Sequence, residues 1–403
     1  MRVCLFTETF HPVVGGGETQ ARLLAESLAS EGIDTFILTR RSDPGLAGTE
    51  ELGSLPVVRL GPSGAGQLKK WGLVLTGVPA LIRRRRDYDT LLLNGFRITG
   101  ISAVPAAKAL GKRVVLKADS QGEMSGEFFT AGLARFGVTP ESVLFRIFLR
   151  FRNAILRRAD AFIAITEEVA AEFEGAGIPA EAICRIPNAV DTDRFSPRGS
   201  AEKRVLRERL GLPATGAIFT YTGRLVTYKG LPLLVDVWAR VRDRHPGAML
   251  LLVGVGGLDI HACEDELRGT VEDRGLRGSV RFTGSVENVH EYLGASDAFV
   301  FPTENDAFPS SLVEAMASGL PVITTPVGAI PEIVSHELNG LLVPSGDGPA
   351  LEGAIERVLS DRDLSTSLGT QARAAVEERY SVTTVTARYL DVMGVDRGRI
   401  PPE

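Results

Sequence analysis

Residues 303–322 read Thr303-Glu304-Asn305-Asp306-Ala307-Phe308-Pro309-Ser310-Ser311-Leu312-Val313-Glu314-Ala315-Met316-Ala317-Ser318-Gly319-Leu320-Pro321-Val322. An apolar strand, Ala298-Phe299-Val300-Phe301, runs into this stretch, and Gly319 with Pro321 closes the helix it contains. Pro309 fits the first helical position, where its missing N–H costs nothing. The free amides of Ser310, Ser311 and Leu312 then point out of the helix N-terminus, whose partial positive charge seats a phosphate or an electron-rich hydroxyl. Glu314 lies four residues past Ser310 and projects from the same face. Asp306 and Glu314 thus place a carboxylate at each end of an anion seat. That suits a ligand with both phosphates and hydroxyls, and a nucleotide-sugar is such a ligand. The plainer alternative is an ordinary surface helix, with Asp306 a solvated turn acid and Glu314 exposed. The block alone leaves the two evenly matched.

Outward from the block, strand-like runs recur at 2–7, 34–39, 56–60, 89–93, 113–117 and 160–165, with helical segments between most of them. The second half repeats the pattern at 217–222, 248–253, 279–283, 297–301 and 321–324. Such alternation marks mainly parallel sheets covered on both faces, with ligands beyond the carboxyl ends of the strands. A chain of 403 residues suits two domains of roughly 200 residues each. Their join falls in the proline-bounded stretch Pro187-Asn188-Ala189-Val190-Asp191-Thr192-Asp193-Arg194-Phe195-Ser196-Pro197. This gives a first domain over 1–190 and a second over 191–379. Asn188 and Asp191 read as members of an ordered hinge turn. Tyr380 to Met393 reads as a helix.

Composition narrows the classes. An apolar content of 44% excludes a disordered chain, and a net charge of −5 argues against a dedicated nucleic-acid binder. Residues 1–160 nevertheless carry 22 Lys and Arg against 15 Asp and Glu, a basic surplus that could face anionic lipid or an acidic acceptor. Cys4, Cys184 and Cys263 are few and widely spaced, and read as buried thiols in a reducing compartment. The N-terminus reads as a strand rather than a signal segment, and no apolar run approaches the ~18–20 residues of a membrane span. A soluble, cytoplasmic protein is expected.

Three further stretches join a strand end to glycines or cations. Phe219-Thr220-Tyr221-Thr222-Gly223-Arg224-Leu225-Val226-Thr227-Tyr228-Lys229-Gly230 turns from strand to helix. There Arg224 offers a fixed fork to phosphate oxygens and Lys229 a mobile charge, so the pair can neutralise a leaving diphosphate. Gly15-Gly16-Gly17-Glu18 follows the first strand and permits close backbone approach. Leu252-Val253-Gly254-Val255-Gly256-Gly257 ends another strand. Neither glycine run has the spacing of a dinucleotide fingerprint.

With these residues in view, the block at 306–314 resembles the E-x7-E signature of the retaining glycosyltransferases of family 4, which have the two-domain GT-B fold. This chain has D-x7-E, a shorter first acid. Gly223 to Gly230 is similar to that family's diphosphate clamp, and Gly15 to Glu18 to its G-G-x-E loop. Leu252 to Gly256 is similar to its V-G-x-G segment, and Pro187 to Asp191 to its P-N-G-V-D. The resemblance implies an α/β architecture of two Rossmann-like doubly wound domains facing a central cleft, with a final helix, 380–403, crossing back onto the first.

The same resemblance implies site roles. Gly223, Arg224 and Lys229 hold the diphosphate, with amides of Gly16 and Gly17 reaching it. Gly254 and Gly256 line the nucleotide side, and the backbone at Ser285 and Val286 meets the base. Glu314 accepts from ribose hydroxyls. Asp306, with Ala307, Phe308, Pro309, Ser310, Ser311 and Leu312, holds the transferred sugar. The five histidines lack ligand spacing with acids, so a metal-free mechanism without a cofactor is expected. The donor is a UDP-, GDP- or ADP-sugar. Many family members carry a histidine where this chain has Asp119-Ser120-Gln121-Gly122-Glu123. Asp119, Ser120 or Glu123 can touch sugar or acceptor there, or merely cap the next element.

The acceptor is a glycan, a lipid-linked sugar or a small molecule. Leu144 to Arg157 places Arg146, Arg150, Asn153 and Arg157 on one stripe opposite an apolar side, with a second basic cluster at Arg83–Arg86 near Lys69, Lys70 and Trp71. A core helix with a solvated arginine stripe is the favoured reading. The second is a helix lying on an anionic membrane, with the protein peripheral on its cytoplasmic face. Two other functions fit the same fold, a nucleotide-sugar isomerase and a sensor that binds a sugar nucleotide without turnover.

Overall fold

The apolar run at the N-terminus becomes β1 (Arg2–Thr7), buried from Val3 onward. Strands covered on both faces read as near-continuous apolar runs. β1 pairs in parallel with β2 (Asp34–Arg40) on one side and β5 (Thr90–Asn94) on the other. The computed structural model describes residues 1–13, 15–64, 67–126, 142–257 and 259–395, without the side chains of 67–70. The side chains of Lys69 and Lys70, and residues 396–403 of the expected final helix, lie outside the described residues. The chain forms two units, Met1–Ala189 with Val382–Glu403, and Val190–Ser381.

The first unit's sheet runs β3-β4-β2-β1-β5-β6-β7-β8. Its further strands are β3 (Thr49–Leu52), β4 (Leu55–Leu60), β6 (Arg113–Lys117), β7 (Ala161–Ala164) and β8 (Ile183–Arg185). Every pair is parallel except β3 with β4. The strand order reverses between β1 and β5, which opens a crevice beyond their carboxyl ends. The helices are α1 (Gly16–Ser30), α2 (Gln67–Arg83), α3 (Gly100–Ala109), α4 (Val143–Leu156) and α5 (Glu167–Gly175). Right-handed crossovers place α1 on one face and α2, α3 and α4 on the other. There α2 packs on α3 and α3 on α4.

Helix α4 corrects the sequence reading. Its buried residues are Phe145, Arg152 and Leu156, while Val143, Leu144, Ile147 and Phe151 are exposed. The apolar side therefore faces out, and an arginine outside the expected stripe faces in. Arg152 Nε donates to the Arg97 carbonyl at 3.0 Å, and its Nη2 donates to the Glu123 carbonyl. Burial lowers the Arg152 guanidinium to about 10, with Glu123 opposing the shift. Glu123, fully buried, accepts from the Phe96 amide at 3.1 Å and from Arg97 Nε at 3.0 Å. Burial pushes its carboxyl up to about 7, with Arg97 pulling it down. Glu123 thus braces this unit from inside and is not presented to a ligand.

The second unit's sheet runs β11-β10-β9-β12-β13-β14 and is parallel throughout. The strands are β9 (Ile218–Thr222), β10 (Met249–Val253), β11 (Val280–Gly284), β12 (Ala298–Phe301), β13 (Val322–Thr324) and β14 (Leu341–Leu342). Its order reverses between β9 and β12. The helices are α6 (Ser200–Arg209), α7 (Leu231–Arg244), α8 (Glu264–Asp273), α9 (Val289–Ala295), α10 (Ser310–Ala317), α11 (Ile330–Ile333), α12 (Gly348–Ser360) and α13 (Arg362–Arg379). Trp238 of α7 is fully buried against Phe219 of β9, ring centroids 5.6 Å apart.

The last described helix, α14 (Val382–Met393), belongs to the first unit and packs on α1. Val385, Tyr389, Leu390 and Met393 enter that unit's core, and the Ser27 and Thr386 hydroxyls meet at 2.7 Å. Burying each large apolar side chain contributes roughly 1.5–3 kcal/mol, which is what fastens so short a helix. At the join, Asp191 Oδ1 accepts from the amides of Asp193 and Arg194 at 3.1 and 2.9 Å, so Asp191 shapes a turn. Cys4 and Cys263 are buried, but Cys184 is only half-buried. It lies on β8, the edge strand of its sheet. No helix among the described residues is long and apolar enough to cross a membrane.

Candidate active site

Three neighbouring strands of the second unit, β9, β10 and β11, end at Gly223, Gly254 and Gly284, each with positive φ (143°, 140° and 73°). The Gly223 amide donates to the Val253 carbonyl at 3.0 Å and the Gly254 amide to the Gly284 carbonyl at 3.1 Å. At Gly254 a Cβ would lie 1.9 Å from the Gly223 carbonyl oxygen, so only glycine closes this edge. The strand ends form a low backbone rim that a ligand can approach closely.

Beyond β9 the chain makes a single 3₁₀ turn at Thr227–Lys229. This turn carries Lys229 inward beneath the loop that follows β12. Lys229 Nζ donates to Asp306 Oδ2 at 2.7 Å and to the Asn305 carbonyl at 2.9 Å. It lies 5.3 and 5.4 Å from the ring centroids of Tyr228 and Phe301. The Glu304 amide donates to the Tyr228 carbonyl at 2.8 Å, and the Thr303 hydroxyl to the Asn305 carbonyl at 3.0 Å. Two residues 77 apart in sequence are thereby fixed as an ion pair where the strand order reverses.

Arg224 behaves differently. Its side chain is 62% exposed, ion-paired with Asp259 and donating to the Tyr228 hydroxyl at 2.8 Å. Beside it, the Thr222 hydroxyl is buried without a hydrogen-bond partner among the described residues. A hollow of about 600 Å³ is lined by Tyr228, His261, Glu304 and Asn305 among others. A second hollow of about 590 Å³ adjoins the opposite strand ends. There Arg373 Nη1 is taken by the carbonyls of Thr192, Phe195 and Ala317, so that arginine serves the fold.

Helix α10 departs from the sequence reading at its start. Pro309 is the N-cap, outside the helix, and Ser310 is its first residue. The Ser310 amide turns back to the Phe308 carbonyl and the Leu312 amide to the Pro309 carbonyl, both at 3.0 Å. Of the three amides expected to be free, only that of Ser311 lacks a backbone acceptor among the described residues. The cause is the proline, whose φ of −82° and ψ of 81° tighten the entry. Phe308 is partly buried, its ring 6.2 Å from that of Tyr380, while Ala307 is exposed.

Glu314 is half-buried rather than exposed. Enclosure of its carboxyl pushes it up to about 7, with the charge of Arg194 pulling the other way. Arg194 Nη2 donates to the Glu287 carbonyl at 2.9 Å and its Nε to His290 Nδ1 at 3.3 Å. Burial, then the Arg194 charge, holds the His290 imidazole low. The Val286 side chain packs on the small cluster of Leu212, Ile218 and Val253.

A pH signature follows from Glu314. Its carboxyl titrates at 4.5 when unfolded and about 7 when folded. Below 4.5 both states are protonated. Between those values the folded state holds the extra proton, so this group's contribution to stability falls as pH rises, and above 7 the loss is complete. Glu314→Gln is expected to melt above the unchanged protein at alkaline pH, with the gap closing towards acid. Thermal melts across that window check it, and a pH-independent gap would refute it.

Gly16, Gly17 and Asp119 lie in the first unit, at the ends of β1 and β6. The N-cap of α1 is Gly15 in extended conformation. A Cβ on Gly17 would rest 3.4 Å from Asp119 Oδ2. Asp119 accepts from Asn94 Nδ2 and Lys117 Nζ, each at 3.1 Å, so its charge is balanced. Ser120 Oγ accepts from Arg97 Nη2 at 2.6 Å. The sequence reasoning did not single out Arg194, His290, Tyr228, Asp259 or Gly328. Only Tyr228 carried a local signal, its place beside Lys229 in the clamp stretch.

Two doubly wound units, each with polar residues gathered at a switch point, define a protein of the GT-B class. The profile of the glycosyl transferases group 1 matches residues 202–375, and that of the glycosyl transferase 4-like domain matches residues 15–189. The chain therefore belongs to the group 1 glycosyltransferases. It is 31% identical over 227 residues to D-inositol 3-phosphate glycosyltransferase of Corynebacterium jeikeium, 54% of this chain and 53% of that one. It is 30% identical over 257 residues to the GDP-mannose-dependent alpha-(1-6)-phosphatidylinositol monomannoside mannosyltransferase of Mycobacterium tuberculosis, 60% of this chain and 65% of that one. The chain thus spans between about half and two-thirds of the length of these relatives. Among solved structures, Anabaena Alr3699/HepE in complex with UDP superposes with a TM-score of 0.76 at 20% identity, covering 98% of this chain and 100% of that one. That likeness supports the fold.

Proposed function

We propose that the protein is a retaining, metal-independent glycosyltransferase that moves a sugar from a nucleoside-diphosphate sugar to a hydroxyl acceptor. The observation that carries this reading is the Lys229–Asp306 pair at the switch point, on the same sheet edge as the glycine rim. Lys229 and Arg224 receive the charge that grows on the diphosphate as its bond to the sugar carbon breaks. Asp306 orients sugar hydroxyls from a position already fixed by Lys229. Glu314 accepts from ribose hydroxyls, a demand that favours its ionised form. The acceptor oxygen bonds to the sugar carbon from the face the diphosphate leaves, and its proton passes to the departing phosphate.

The relatives' names support a sugar-nucleotide donor but diverge on the base. One relative is called GDP-mannose-dependent, and one structural neighbour holds UDP. The first experiment is incubation with UDP-, GDP- and ADP-sugars, with and without cell-extracted acceptors, measuring released nucleoside diphosphate. Acceptor-dependent release from one donor is expected. Tight donor binding without release would make the protein a sensor. Conversion of the donor's sugar with its diphosphate still attached would make it an isomerase.

A further inference from the structure

The outward side of α4 is unusual for a helix covering a sheet. Val143, Leu144, Ile147 and Phe151 are 63%, 75%, 58% and 65% exposed. At 3.6 residues per turn they fall within one sector of about 100°. Of thirteen large apolar side chains exposed among the described residues, seven lie on α2 and α4, Trp71, Leu75 and Ile82 being the three on α2. Both helices belong to one layer, through α3. Exposed apolar residues scattered singly need no explanation, whereas a cluster on one face marks an interaction surface.

Charge selects the occupant. Arg146 and Arg150 are exposed on the flank of the α4 stripe and form no ion pair among the described residues. Arg157 and Arg158 follow at its C-terminal end, and α2 runs into Arg83–Arg86. Long arginine stems can lie along apolar surface while their heads reach phosphate oxygens. An apolar stripe edged by cations matches acyl chains beneath anionic headgroups, and Trp71 on α2, beyond α3 in the same layer, suits the same depth. The helix is also firmly held from behind. Arg152 and Asn153 bond to the carbonyls of Arg97, Glu123 and Met124, in the turns that follow β5 and β6.

We propose that the first unit docks on an anionic phospholipid surface through α4, with Leu144, Ile147 and Phe151 entering the headgroup layer, Arg146 and Arg150 beside the phosphates, and α2 as a second contact. The test is flotation of the full chain with vesicles of phosphatidylcholine alone or with phosphatidylglycerol added, at low and high salt. Flotation reads lipid contact whether or not any donor is turned over. Binding to the anionic vesicles only, weakened by salt, is expected. Arg146→Gln with Arg150→Gln should lower partitioning about 30-fold at low salt, and the triple change Leu144→Gln, Ile147→Gln, Phe151→Gln should abolish it. Because these side chains are exposed, unchanged melting curves confirm that the variants remain folded. Absence of binding to either vesicle, or equal binding to both, would overturn the proposal. So would a dimer, seen by light scattering, that ignores vesicles and dissociates in the apolar triple variant; the stripe would then belong to a second copy of the chain.

Discussion

Lys229→Ala is expected to lower turnover by about 10²–10³-fold, the range for losing one aligned electrostatic contact at a developing charge. The substitution does two things at once. It removes a cation from the diphosphate, and it leaves Asp306, 18% exposed at its side chain, without its counter-charge. Breaking a buried pair from one side costs about 3–5 kcal/mol, and the partial exposure of Asp306 puts the cost towards the lower end. The double change Lys229→Met with Asp306→Asn separates the two effects. It should recover most of the melting temperature while turnover stays low. Arg224→Ala offers the contrast, since a mostly exposed side chain can be lost without a change in melting. Single-turnover rates and thermal melts on these three variants check the argument. Near-normal turnover in both Lys229→Ala and Arg224→Ala would remove the clamp.

Gly328→Ala is expected to weaken donor binding and turnover by about 10²-fold, the scale of a 1 Å misplacement at a reacting centre. Gly328 has a φ of +52°, and a Cβ there would sit 1.8 Å from the Asp306 carbonyl oxygen. The alanine must push the Asp306 loop away, and the loop cannot yield freely. Thr303 is tied to Tyr228 and Asn305 on one side, and its carbonyl takes the Thr325 hydroxyl on the other. The strained dihedral adds about 1–2 kcal/mol, a modest change in melting beside a large loss of affinity. Calorimetric titration with the intact sugar nucleotide measures it, with the nucleoside diphosphate alone as the reference. Unchanged affinity would mean that the loop is pliable and that Asp306 is not held in register from this side.

Much of this architecture is legible in the chain because parallel strands buried on both faces are written as apolar runs. The runs at 2–7 and 298–301 coincide with β1 and β12 within a residue. Thr49–Leu52, Ile183–Arg185 and Leu341–Leu342 escaped, since two to four residues carry no period to detect. The site was half legible. Glycines at strand ends and the two cations announce themselves locally. The ion pair of Lys229 with Asp306 does not, because it depends on two loops meeting in space. Pro309 was misplaced by one position, and that shift consumed two of the amides offered for anion binding. In α4, periodicity shows that the helix has an apolar side but not which way that side turns. The deciding contact, Arg152 with Glu123 and Arg97, is tertiary.

The return of α14 to the first unit has a consequence for biosynthesis. Chain entering the world from the ribosome supplies Met1–Ala189 first, yet the core that contains Leu24 and Leu28 is completed by Tyr389 and Leu390. Between them the whole of Val190–Ser381 must be translated. At roughly 5–20 residues per second that interval is on the order of 10–40 s. For that time a nascent half-protein carries an exposed apolar face where α14 belongs, a defined surface for chaperones to shield.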